Sequence, residues 1–162
     1  MKPSAQDRPA QRHFDSLEQE AFLNLWRTYD RLHGLEEELF GRCDLTPQQY
    51  NVLRLLRGHL PEKLPTLALA SRLVSRAPDI TRMLDKLEAR SLVERERRSE
   101  NRRVVLVGIT AAGEALLAEL HAQVQDCHAR QLGHLAPDDL RQLIALLYQA
   151  RLPHEDSAGS WV

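Results

Sequence analysis

Between about Arg76 and Val107 the chain sets two patterns side by side that few folds can accommodate together. One is an apolar stripe of helical period, and the other is a β-branched hairpin tipped with arginines. Ile80, Met83, Leu84 and Leu87 recur at i, i+3, i+4 and i+7, which predicts a helix over about 76–91 with one buried face. Arg76, Asp79, Thr81, Arg82, Asp85, Lys86 and Arg90 fall on its other faces. Ser75 is the expected N-cap, and Pro78 is tolerated in the first turn, where N–H groups have no intrahelical acceptor. Leu92-Val93 and Val104-Val105-Leu106-Val107 then flank the polar run Arg95 to Arg103, which predicts two short strands. With no Asn-Gly or Asp-Gly pair at the turn, that expectation rests on the β-branched flanks and the polarity of the tip.

Charge is distributed unevenly around this segment. From Ser75 to Arg103, nine basic residues (76, 82, 86, 90, 95, 97, 98, 102 and 103) face six acidic ones, a formal +3 in a chain whose total is −1. A charged helix face is by itself the ordinary requirement of solubility. A local excess of long donors beside a basic hairpin can also reach phosphates and base edges in a duplex groove. The near-neutral total excludes a generally basic coat for nucleic acid. Aromatic residues make up only 5% of the chain, which supplies no stacking platform for unpaired strands.

The flanking segments read as helices. Phe14 to about Leu39 carries Phe22, Leu25, Trp26, Tyr29, Leu32 and His33 at helical spacing. Thr46 caps a second helix with Pro47 at its first position, running through Tyr50, Leu53 and Leu56 to Gly58. His59 to Pro65 reads as a connecting loop, and Thr66 as the cap of a short helix bearing Leu67, Ala70, Leu73 and Val74. After the hairpin, Thr110 opens a helix to about Leu132 with Leu116, Leu120, Val124 and Cys127 on its face. Pro137 opens a last one with Leu140, Leu143, Ile144, Leu147 and Tyr148. The fold class is therefore mainly α, a helix-turn-helix lobe with a two-stranded β-wing between N- and C-terminal helices. The expected organisation is a tail at 1–12, a first helical region at 13–44, the lobe at 45–110, C-terminal helices at 111–151 and a flexible tail at 152–162. Because the outer helices exceed what one small lobe can bury, a homodimer is expected. Its two-fold axis would present two helices to half-sites about 34 Å apart, or a multiple, and so to a palindrome.

The order and spacing of several stretches resemble the MarR family of winged-helix transcriptional regulators. They are Leu45-Thr46-Pro47-Gln48-Gln49-Tyr50-Asn51-Val52-Leu53, Leu67-Ala68-Leu69-Ala70, Ile80-Thr81-Arg82-Met83-Leu84-Asp85-Lys86-Leu87-Glu88, Leu92-Val93-Glu94-Arg95, and Asn101-Arg102-Arg103 leading to Ile109-Thr110-Ala111-Ala112-Gly113. The resemblance implies Arg76, Thr81, Arg82 and Lys86 on a major-groove helix and Arg103 at a wing entering the minor groove. Asp79, Arg98 and Arg102 complete the expected DNA-contacting set. Two positions depart from the family pattern. Asn101 stands where the family has the aspartate of an Asp-x-Arg turn, leaving a neutral hydrogen bond in place of a charge pair. Ser91 stands where a glycine separates recognition helix from wing, and serine tolerates a left-handed backbone less well.

The resemblance further implies a repressor of duplex DNA released by a small phenolic or otherwise anionic effector, bound in a cleft that Trp26, Tyr29 and His33 could line. An aromatic stripe at helical spacing more often packs in a core or a dimer interface. The peroxide-sensing relatives place a cysteine early in the first long helix, which has none here; Cys127 reads as a small buried hydrophobe. His121 and His128 lie about 10 Å apart along one helix, too far for a shared zinc ion without partners from elsewhere. The remaining histidines, at 13, 59, 134 and 154, read as solvated. No metal or cofactor is expected. No phosphate-cradling glycine loop, HExxH or nucleophile elbow occurs, so an enzyme is not expected. The competing reading is a winged helix that binds another protein, which the +3 patch disfavours. Two separated cysteines, no apolar leader at Met1 to Gln11 and no run of about 18 apolar residues lead to the expectation of a reduced, cytoplasmic, non-membrane protein.

Overall fold

The computed structural model describes residues 14–75, 79–97, 101 and 103–155. Its packing divides the chain after Gly34 into two units. Helix α1 (Leu17–Gly41) supplies nearly all of the described part of the first. It starts three residues later than its apolar pattern suggests, because Ser16 Oγ accepts from the Gln19 amide at 3.1 Å while Gln19 Oε1 accepts from the Asp15 amide at 2.7 Å. These two bonds satisfy N–H groups that a helix start otherwise leaves open.

From Leu35 onward, the second unit holds the last turns of α1, then α2 (Pro47–Gly58), β1 (Leu64–Pro65), α3 (Thr66–Ser71), α4 (Ile80–Ala89), β2 (Val93–Arg97), β3 (Val105–Ile109), α5 (Ala111–Leu132) and α6 (Pro137–Arg151). Thr46 caps α2 as expected, in a reciprocal capping box with Gln49. Thr110 caps α5 by accepting from the Gly113 amide at 3.1 Å. The core gathers Val52, Leu53 and Leu56 of α2, Leu69 of α3, Leu84 and Leu87 of α4, Val93 and Val107 of the sheet, and Leu117, Leu120 and Val124 of α5. On α5 it is Leu117 that is buried, with Leu116 packed at the margin.

Several local expectations are corrected. The wing strands β2 and β3 pair antiparallel from Val93↔Ile109 to Arg97↔Val105, but a third strand joins them: Leu64↔Val107 and Pro65↔Leu106 give the order β1-β3-β2. Proline is admissible there because β1 is an edge strand. The same pairing sets α3, since Thr66 does not cap it but donates its hydroxyl to Val105 O at 3.2 Å. In that register Leu69 points inward, fully buried, while Leu67 is 84% exposed. His59 is not solvated either. It is half-buried, its Nδ1–H donating to Leu55 O at 2.9 Å and its Nε2 accepting from Arg72 Nη1, which ties the ends of α2 and α3 together. At the C-terminus, the segment expected to be flexible begins with a 3-10 turn at Leu152–His154.

Candidate nucleic-acid interface

Helix α4 begins at Ile80, later than the 76–91 expectation, because Asp79 and not Ser75 caps it. The Asp79 carboxylate accepts from the Arg82 amide at 2.9 Å, while the Ser75 hydroxyl accepts from Gln48 Nε2 at 3.1 Å. Asp79, expected from the sequence to contact DNA, thus has a structural role at the helix start. Thr81, Arg82 and Lys86 project into the open, and neither Arg82 nor Lys86 forms an ion pair among the described residues. Arg76, Arg98 and Arg102 lie outside the described residues. Arg90 does not belong to the outer face. Its guanidinium donates to Asp44 O at 2.6 Å and Cys43 O at 3.1 Å, holding the α1–α2 turn in which Asp44 has φ 53°.

At the helix end Ser91 adopts φ 56°, the left-handed conformation that a glycine would take without strain. The conformation is held from both sides. Ser91 N–H donates to Glu88 O at 2.8 Å, and Ser91 O accepts the Thr110 hydroxyl at 2.6 Å. On the wing, Asn101 Oδ1 accepts from the Arg103 amide at 3.1 Å and Asn101 O from the Val104 amide at 3.0 Å. The asparagine therefore orders the backbone of the turn and leaves the exposed Arg103 guanidinium without a carboxylate partner among the described residues.

Two charge clusters that the sequence pattern did not disclose brace the sheet. Arg95 on β2 reaches back to α4, with Nε at 2.8 Å from Glu88 Oε2, Nη2 bonded to the same oxygen, and Nη2 at 2.6 Å from Asp85 Oδ1. Hydrogen bonding to Arg95 holds the Glu88 carboxyl below the usual carboxylate range, and Glu88 in turn raises the guanidinium's proton affinity. Across the strand, Lys63 Nζ bridges Glu94 at 2.9 Å and Glu96 at 2.8 Å, which lowers the Glu96 carboxyl. The Lys63 stem crosses Gly108 so closely that a Cβ there would stand 2.9 Å from Lys63 Cγ. The only local signal for the first cluster is the acidic pair at i, i+3 on α4.

Of the three residues expected to line an effector cleft, all on α1, Tyr29 and His33 contact each other and Trp26 lines a groove. Trp26 lines an open groove of about 340 Å³ with Phe14, Leu23, Asn24, Arg27 and Asp30. Tyr29 stacks on His33, with ring centroids 5.0 Å apart, outside that groove's lining. A second groove of about 360 Å³ runs along the end of α1 and α5, lined by Leu35, Glu38, Leu39, Arg42, Asp126, Cys127 and Arg130 among others. Burial pushes the Cys127 thiol up, away from thiolate reactivity. His128 Nε2 lies 3.9 Å from Glu36 Oε1, and no group of three or more metal-ligating side chains occurs among the described residues. Among the same residues, no helix is long and apolar enough to cross a membrane.

Comparison with known proteins agrees with this geometry. The MarR family profile matches residues 45–105, from the α1–α2 junction to the start of β3. Over 141 residues the chain is 30% identical to the uncharacterized HTH-type transcriptional regulator YkoM of Bacillus subtilis (strain 168), covering 85% of this chain and 90% of that one. The crystal structure of a MarR transcription factor from Planctomyces limnophilus is 56% identical, with a TM-score of 0.68, and covers 85% of this chain and 99% of its own. A mutant MarR from E. coli, crystallised with operator DNA, is 27% identical with a TM-score of 0.72, covering 84% and 99%. With the capped α2, the helix pair α3–α4 and the paired wing all in the matched order, the chain belongs to the MarR family of winged-helix transcriptional regulators.

Proposed function

We propose that the protein is a homodimeric repressor that reads a palindromic duplex with α4 and the wing, and that a small phenolic or anionic molecule releases it. The observation that carries this reading is the unspent outer face of α4. Arg82 and Lys86 stand open beside Thr81 while neighbouring Arg90 and Arg95 are consumed by internal bonds. A surface that keeps some guanidinium and ammonium groups unpaired while holding others in internal hydrogen bonds is suited to phosphates and base edges. Arg103 supplies a further cation from the wing.

Dimerisation is supported separately in each unit. Within the first, α1 exposes Leu17, Phe22, Leu25, Trp26 and Tyr29, and within the second, α6 has no buried residue and exposes Ile144, Leu146 and Tyr148. Large apolar side chains left open in one chain are what an obligate partner copy covers. On this reading 13–44 and 111–151 form the dimerisation region, 45–110 is the reading lobe, and the protein works in the cytoplasm. For the effector, the groove on α1 sets the apolar Trp26 and the cationic Arg27 beside Asp30, elements that could take an aromatic anion.

The test is a titration of purified protein against the DNA upstream of its own reading frame and against a randomised duplex pool, at two salt concentrations with unrelated duplex as competitor. Tight, salt-sensitive binding that survives competition, at two chains per duplex, is expected. Binding lost to any competitor, with no sequence enriched from the pool, would overturn the proposal and favour a protein-binding winged helix.

A further inference from the structure

We infer that Arg95 is a positioning residue that fixes the wing against α4, so that the helix and Arg103 address one duplex together. This rests on the proposed reading of DNA by helix and wing. By sequence Arg95 counts among the nine basic residues of the positive patch, yet its Nε and Nη2 donate to two carboxylates of the helix in front of it. The cluster of one guanidinium with Asp85 and Glu88 carries a net negative charge, the wrong sign for a phosphate contact.

Its place in the strand explains why the anchor stands here. Along β2, Val93, Arg95 and Arg97 share one face, and Glu94 and Glu96 share the other. Val93 is in the core, Arg95 pairs in register with fully buried Val107, and Glu96 and Arg97 are exposed. Arg95 is thus the residue of β2 that is held to α4, with its side chain 25% exposed. On the opposite face Lys63 bridges Glu94 and Glu96, so the strand is braced from both sides at the same level. Released from α4, the wing would gain freedom that must be lost again when Arg103 meets DNA, and that cost would cancel the benefit of the contact.

A thermodynamic cycle separates positioning from charge. The background Asp85→Asn/Glu88→Gln frees Arg95 and adds positive charge, so a role in general attraction or direct phosphate contact predicts equal or tighter binding in which Arg103 keeps its full effect. The probe is the duplex enriched by the wild-type protein from the randomised pool, followed by fluorescence anisotropy. In the wild-type background Arg103→Ala is expected to weaken binding about tenfold. In the neutralised background the same change should cost less than about threefold, the signature of coupled residues. Arg95→Lys with Asp85 and Glu88 intact, which keeps one ion pair, should retain part of the coupling, and thermal unfolding confirms that each variant is folded. An Arg103 effect of equal size in both backgrounds overturns the inference while leaving the DNA-binding reading intact. Failure of the wild-type protein to enrich any duplex would instead refute that reading.

Discussion

Replacing Ser91 by glycine should stabilise the protein, although it deletes a side chain from the hinge between α4 and the wing. With φ at 56°, Ser91 sits where an L-residue brings Cβ against its own carbonyl, at a cost of roughly 1–2 kcal/mol. Glycine removes that cost but enlarges the freedom of the unfolded chain, returning about 0.5–1 kcal/mol. The bonds that hold the turn, Ser91 N–H to Glu88 O and the Thr110 hydroxyl to Ser91 O, are made by the backbone of residue 91 and survive the change. The net expectation is a gain of about 0.5–1 kcal/mol, or roughly 1–4 °C in Tm for a chain of this size. Ser91→Val should move in the opposite direction by about 1–2 kcal/mol, since a β-branched residue suffers most in the left-handed region. Urea unfolding followed by circular dichroism, at fixed protein concentration, reads both changes through the midpoint at constant m. If the glycine variant is no more stable than the parent and the valine variant no less, the strain argument at this residue is wrong.

Arg82→Ala should weaken specific DNA binding by about 1–3 kcal/mol with loss of base discrimination, whereas Arg103→Ala should lower affinity with less loss of discrimination; competition among operator variants separates the two, and an unchanged affinity for Arg82→Ala would refute the role given to α4. Gly113→Ala should destabilise by about 1–3 kcal/mol despite the better helix propensity of alanine. Its Cβ would fall 2.3 Å from Leu92 O and 2.7 Å from Ile109 Cγ1, and a backbone oxygen cannot swing aside; a Tm equal to that of the parent would contradict this. On acidification, the stabilisation from Glu88 and Glu96 should be lost, because both have folded-state affinities for protons below the ordinary value of 4.5. That stabilisation is complete above 4.5 and disappears as pH falls through the lowered values. Glu88→Gln should flatten the corresponding part of the stability profile, and an unchanged profile would refute the assignment.

Much of the fold was legible because its signals are local. The stripe Ile80, Met83, Leu84 and Leu87 placed α4, Thr46 with Pro47 placed the start of α2, and the β-branched flanks placed the wing. Each depends on residues a few positions apart, so neighbouring side chains alone define it. The family pattern singled out position 91 as a glycine site, but that serine keeps the left-handed conformation there was shown only by the structure. Likewise, Asp79 and not Ser75 caps α4, and the Ser75 hydroxyl is found accepting from Gln48, far away on α2.

The same division holds for the candidate site. Sequence alone determined that long donors and an apolar stripe would share one helix beside a basic hairpin, because composition and periodicity are properties of the chain. Which of those cations remain free was decided only by tertiary structure. Arg90 is taken by carbonyls of Cys43 and Asp44, Arg95 by Asp85 and Glu88, and the segment read as a loop at Leu64–Pro65 becomes a strand by pairing with Leu106 and Val107. A hydrogen-bonding group takes whichever partner the fold brings within reach, and these partners meet only once the core has closed.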